Sequence, residues 1–404
     1  MKKMTRHSEP NYELLFAAAS GFTVANNYLN QALLGLLAGD FGLSPAAVST
    51  IPVVTQVGNA VGLILLAPLG DRFERRGLIL TTLAALVVAL VAAAIAPGFG
   101  WLVGASLCVG LFATVTQQLV PFAVHLAEPG ERGRALGIVT GGILAGILLA
   151  RTFAGTIADL AGWRTVFAVA AGLMLVISVL LALKLPRARP GTDLGYRQLL
   201  QSLATLLGEH EILRRAVTIQ ALIFAAFMAF WANLALLLQE PRFGLGPTAV
   251  GLIALVGVGG VLAAPLAGRF SDRRGPAIVI ATGAGLVVAA FAILGLVQGS
   301  LTVLVIAVLV MDLAVQASQV ANQARVFAID PTAHSRLNTI FMAAMIFGGA
   351  LGAGAGGIAY SLWGWSGICA FGATAGLCAA ALSATRTTEK TNEDRDARSV
   401  QHQR

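Results

Sequence analysis

Two side chains that carry opposite charge stand inside stretches that are otherwise apolar. Arg151 interrupts the run 135–158, and Asp312 interrupts the run 301–328. An unpaired cation at the centre of a membrane helix costs about 2.5 kcal/mol or more. Arg151 therefore requires a partner, and Asp312 is the only acidic side chain deep in any apolar run. Counted from the midpoints of their runs at about 1.5 Å per residue, the two depths agree within roughly 5 Å. A carboxylate whose cationic partner comes and goes can take up and release a proton. Three roles stay open for the pair: proton coupling, a static contact within a packed wall, and direct contact with a solute.

Uncharged polar groups gather in the same kinds of run. The first carries Asn26, Asn27, Asn30 and Gln31, the fourth Gln117 and Gln118, and the seventh Trp231 and Asn233. Beyond Asp312, Gln316, Gln319 and Gln323 follow at steps of four, three and four, which places all four on one helical face. Any one of these amides is most simply an interhelical hydrogen bond, worth about 0.6 kcal/mol on average. A set of this size reads better as the lining of a polar cavity. His125 and His334 lie at helix ends without metal spacing, and Cys108, Cys369 and Cys378 read as packing residues. No phosphate-binding glycine loop, nucleophile elbow or paired carboxylates occur, so no metal, cofactor or enzymatic activity is expected.

These residues need elements that hold them in lipid. Of the 404 residues 57% are hydrophobic and 11% charged, against about 25% charged in soluble domains. Twelve apolar runs can each cross a hydrocarbon core of about 30 Å: near 14–38, 45–69, 78–96, 101–126, 135–158, 165–185, 216–238, 247–267, 277–297, 301–328, 337–362 and 367–384. Lys2 and Lys3 precede the first run, but its length and the lack of a small-residue cleavage site argue against a signal peptide. The net charge of +8 lies in loops and tails with no aromatic-basic groove, so nucleic acid is not an expected partner. Apart from Arg151, Arg164, Arg242 and Arg325, the Lys and Arg residues fall on one side of the membrane. By the positive-inside rule that side is the cytoplasm, and it holds both termini.

The chain repeats itself. The loop Ala67 to Gly77, APLGDRFERRG, returns as GRFSDRRG at Gly268 to Gly275, with Asp71 and Asp272 offset by 201 residues. Phe41 to Pro45 returns as Phe243 to Pro247, Glu128-Pro129 as Asp330-Pro331, Arg134 as Arg336, and Gly162-Trp163 as Gly364-Trp365, all offset by 202. A period this long implies two halves of one architecture, a parallel repeat of the kind found in two-bundle transporters. The expected organisation is a bundle over 1–185, a linker over 186–215 whose part 196–213 could form an amphipathic surface helix, a second bundle over 216–384, and a disordered tail over 385–404.

With the spans, the repeat and the Asp-Arg loops in place, the chain resembles the major facilitator superfamily. Asp71, Arg72, Arg75 and Arg76 match its inner-loop motif after span 2, and Asp272 and Arg273 match it after span 8, although Ala67 and Glu74 replace usual glycines. In span 5, Gly137, Gly146, Ala150, Arg151, Ala154 and Gly155 occupy places of the antiporter branch's glycine pattern, with Arg151 where proline is usual. Other segments look like bacterial drug-efflux-like members. That branch's arginine in span 4 is missing here.

The resemblance implies an all-α membrane protein of twelve transmembrane helices in two pseudo-symmetric six-helix bundles, with spans 1, 4, 7 and 10 lining the pathway. It also implies that Asp71 and Asp272 latch the inner gate, each against a helix N-terminus of the opposite half, near Ser335 and Gly133. The activity expected is proton-coupled export of a small organic compound across the bacterial inner membrane, by a monomer working through alternating access. A facilitator or importer of a polar nutrient such as a sugar is the alternative, and a non-transporting membrane sensor a remote one.

Overall fold

The computed structural model of the chain describes residues 12–128, 131–186, 195–257, 273, 275–330 and 333–384, with the side chain of Asp71 left aside. Asp272 and the tail lie outside the described residues. Among those described, nine helices are long and apolar enough to cross a membrane, and one of these, His334–Ala384, is two spans joined across Gly364 (φ 60°, ψ −150°). Two shorter apolar helices, Tyr12–Ala25 and Pro247–Val256, belong to the first and eighth spans. Twelve spans in two repeated halves result.

The ends of the spans follow from local chemistry. Ser44 accepts a hydrogen bond from the Ala47 N–H with Pro45 at the first helical position, and Ser300 caps span 10 in the same way. Glu74, where a glycine was expected, accepts from the N–H groups of Arg76 and Gly77 and caps span 3. The repeated Gly-Trp turns share one backbone solution, since Gly162 (φ 80°) and Gly364 (φ 60°) both sit at positive φ, where a side chain is strained.

Two spans read as continuous in the sequence are interrupted. Span 1 is Tyr12–Ala25, a 3-10 turn Leu29–Ala32 and Leu34–Phe41. At the break Asn26 turns its amide back to the carbonyls of Phe22 and Thr23, a competition with the helical ladder that asparagine often wins. Span 4 is Phe99–Phe112, a 3-10 turn Ala113–Val115 and Thr116–Leu126. Pro121 lies inside its last segment and removes a backbone donor there.

The linker contains the helix Tyr196–Glu209. Its buried stripe, Leu199, Leu203 and Leu206, is directed at protein: Leu203 and Leu206 pack with Leu213 and with Leu337 and Phe341 of the second half. The Tyr196 hydroxyl reaches back to the Leu65 carbonyl at 2.9 Å. This helix touches both halves and marks what we call the linker side of the molecule.

Candidate functional site: a central cavity sealed on one side

The seal lies on the side opposite the linker. There span 5 packs on span 8, and span 2 packs on span 11. At the first seam the Asp159 carboxylate accepts the Thr248 N–H at 2.8 Å, at the start of Pro247–Val256, and Thr152 donates to the Gly251 carbonyl at 2.8 Å. At the second, Ser361 Oγ accepts the Ala46 N–H at 2.8 Å, at the start of span 2. Asp159 and Ser361 are repeat-equivalent at an offset of 202, as are Ala46 and Thr248. The glycines obey the same rule. A methyl group on Gly155 would overlap the Pro247 carbonyl, and one on the equivalent Gly357 would overlap Ser49.

On the linker side the halves stand apart. A cleft of about 310 Å³ separates Gly70, Arg75, Gln118 and Pro121 from Phe327, Ser335 and Arg336. The backbone next to Asp71 thus faces the start of span 11, the surface its latch was expected to meet, across open space. Arg76 donates to the Ala182 carbonyl at 2.6 Å, Arg75 to that of Gly70 at 3.3 Å, and Arg72 lies over the Phe73 ring. Arg273 is exposed.

Between seal and cleft lies a cavity of about 230 Å³, and Gln117 lines both it and the cleft. Of the residues chosen from the sequence, Asn27, Gln117, Arg151, Trp231, Asp312, Gln316 and Gln319 line it. The remaining six do not. Asn26 is turned back on its own helix. Asn30 donates to Thr55 at 2.9 Å, Asn233 accepts from Ser49 at 3.2 Å within the seal, and Gln118 faces the cleft. Gln323 donates to Asn338 at 2.7 Å, tying span 10 to span 11. Gln31 is fully buried behind Arg151. The polar stripe of span 10 therefore divides its work: three residues face the cavity, and the fourth packs within its own half.

Arg151 and Asp312 share this cavity but form no ion pair within 4.0 Å. The contact expected between them is indirect. Arg151, only 2% exposed, donates from Nε to Gln31 Oε1 at 2.8 Å, and its guanidinium carbon lies 4.1 Å from the centroid of the Trp231 ring and 5.3 Å from that of Tyr28. A desolvated cation over tryptophan is worth about 2 kcal/mol, and a hydrogen bond to a charged group about 1.5–3 kcal/mol. Together these match the cost of holding the cation in a span. Asp312 is 8% exposed, neighbours the Trp231 indole and lies against Gly257, where a Cβ would collide with its Oδ2.

Tyr28, Asn59, Phe224, Phe227, Met342 and Met345 also line the cavity, and the sequence reading did not select them for it. Asn59 carried a usable signal, an amide inside an apolar run. The aromatic and methionine side chains carried none, because in a membrane span their types are those of ordinary packing.

A chamber with polar and charged side chains on its wall, between matched seams on one side and a cleft on the other in two repeated halves, is the architecture of a membrane transporter. The sequence pattern of the Major Facilitator Superfamily matches residues 15–252 and 216–402, and the chain belongs to that family. It is 37% identical over 376 residues to an uncharacterized transporter, YgaY, of Escherichia coli O157:H7, covering 92% of this chain and 95% of that protein. It is 34% identical over 359 residues to the probable transporter SCO4007 of Streptomyces coelicolor, covering 88% and 83%. Among solved structures, the nucleoside transporter NupG superposes with a TM-score of 0.77 at 14% identity, covering 92% and 98%. A bacterial homolog of the human lysosomal transporter Spinster, in an inward-facing and unoccupied conformation, superposes with a TM-score of 0.71 at 17% identity, covering 93% and 94%.

Proposed function

We propose that the chain is a proton-coupled exporter of a small organic compound, of the drug:proton antiporter type, in the bacterial inner membrane. The linker side and both termini face the cytoplasm. The observation that carries this reading is the position of Asp312, a carboxylate on the wall of the central cavity that is near a fixed cation but not locked to it.

The cycle follows from mutual exclusion at that wall. With the cavity open to the cytoplasm, Asp312 releases its proton and cargo enters. The bundles over 1–185 and 216–384 then rock as units. The seams at Asp159 and Ser361 part, and the linker-side cleft closes on the latches at Asp71 and Asp272, aided by Arg72, Arg75, Arg76 and Arg273. A carboxylate at a helix N-terminus contributes up to about 2 kcal/mol in such a setting. On the outer side a proton returns to Asp312 and displaces the cargo, and the protein works as a monomer. Cargo binds amid Asn27, Gln117, Gln316, Gln319 and Trp231, while Gln31 holds Arg151 in place.

The test is proton release from purified protein in detergent on addition of a compound panel. Wild-type protein is expected to release protons with a binding compound, and Asp312→Asn to bind without release. Equal release from both would contradict the reading.

A further inference from the structure

The cycle above leaves part of Arg151 unused. Its Nη2 is buried with no hydrogen-bond partner. A guanidinium offers five donors, and leaving a buried donor unmatched costs about 1–3 kcal/mol, more when it is charged. Such a group inside a solute cavity is set up for an acceptor that arrives with the cargo. A second group on the cavity wall is complementary. Asp312, ionised, only accepts hydrogen bonds, and the glycine at 257 lets its carboxylate sit against the backbone of span 8. Both groups line the cavity, as do Phe224 and Phe227, stacked at 5.5 Å, and Met342 and Met345. Its volume of about 230 Å³ falls below the roughly 300–1,000 Å³ of sites for drug-sized ligands.

We propose that the cargo is a small zwitterion of the α-amino-acid type, with its carboxylate on Arg151, its ammonium on Asp312, and an apolar side chain against the Phe224 and Phe227 wall. This inference rests on the proton-coupled export reading and supplies its sign. An ammonium and a proton compete for the same carboxylate, so cargo and proton exclude each other, as exchange requires. A simple anion would bind Arg151 better once Asp312 is protonated, which couples the two in the same direction. A simple cation would leave Arg151 unmatched and be repelled by it. The groups facing Asp312 are Arg151 from span 5, with Tyr28 of span 1 beyond it, and the non-titrating Trp231 of span 7 and Gly257 of span 8. Competition at the carboxylate is thus set by the proton, the ammonium and one fixed cation.

The experiment is titration calorimetry of the full chain in detergent with the neutral α-amino acids, each beside its decarboxylated amine and its deaminated acid. At least one amino acid is expected to bind about tenfold or more tightly than its own amine and acid, a gap of about 1.4 kcal/mol or more, and to bind more weakly as the pH is lowered. Arg151→Gln should erase the preference over the amine, and Asp312→Asn the preference over the acid together with the pH dependence. Arg151→Lys, which keeps the cation, provides a second variant should the glutamine form fail to fold. Binding of no amino acid, or of an amine or acid as tightly as its amino acid, overturns the inference. If another compound still releases protons through Asp312, the coupling reading survives that failure. Amino-acid binding with no proton release leaves the zwitterion site standing and overturns the coupling.

Discussion

The seal and the cavity treat the internal repeat in opposite ways. At the seal each half contributes the same positions: Gly155 and Gly357 at the close approaches, Asp159 and Ser361 on the helix starts at Thr248 and Ala46. In the cavity the equivalence breaks. Arg151 corresponds to Ala353, Asp312 to Gly110, and Trp231 to Leu29 at the same offset. A surface that must open and close as two bodies rock is served by matched seams, because neither then yields first. A site that must distinguish one end of a solute from the other is served by asymmetry. Mechanics follow the repeat, and chemistry departs from it.

The largest effect expected on this comparison comes from the glycines of the seal. Gly155→Leu and Gly357→Leu should both force the seams apart, overpacking costing about 1–3 kcal/mol. Gly155→Leu should cost somewhat more, because it meets only backbone atoms of Pro247 and Thr248, whereas Gly357→Leu meets Ser49 at Cβ and Oγ, of which Oγ can rotate away. Spin labels on the exposed Leu160 and Leu296, one in each half, would read this as a longer distance. Equal lengthening would show the seams to be equally stiff.

A smaller effect separates the two helix caps. Asp159→Ala removes a charge from a helix start, worth up to about 2 kcal/mol, while Ser361→Ala removes one neutral hydrogen bond, worth about 1 kcal/mol. The same label pair should report a larger open population for the first. The reverse order would mean that the carboxylate contributes nothing as a charge. Smallest of all is Gln323→Leu, which breaks a bond within one half. It should lower thermal stability by about 1 kcal/mol and leave compound binding unchanged. Weakened binding would place Gln323 in the pathway after all.

The sequence exposed the repeat and the charged pair because each breaks a background, polar residues against apolar runs or a motif returning at a fixed distance. Arg151, Asp312, Gln316 and Gln319 were legible in this way. Asn26 and Asn30 lie off the cavity because an amide can satisfy itself on its own helix or a neighbour, and type alone does not reveal which. The seal was illegible for a different reason. Asp159 and Ser361 sit among ordinary loop-end residues, and only the packing of spans 5 and 8 and of spans 2 and 11 gives them a role. Phe224, Phe227, Met342 and Met345 could not be told from lipid-facing or core residues, since apolar side chains look alike until the chain places them around a void.

The central claim is that Asp312 links proton movement to cargo. The most direct measurement is transport in proteoliposomes under an imposed pH gradient, wild type against Asp312→Asn, using any compound shown to bind. Wild-type protein should accumulate the compound against its gradient on the side from which protons leave. The variant should only equilibrate it. Uphill transport by Asp312→Asn at the wild-type rate would contradict the account.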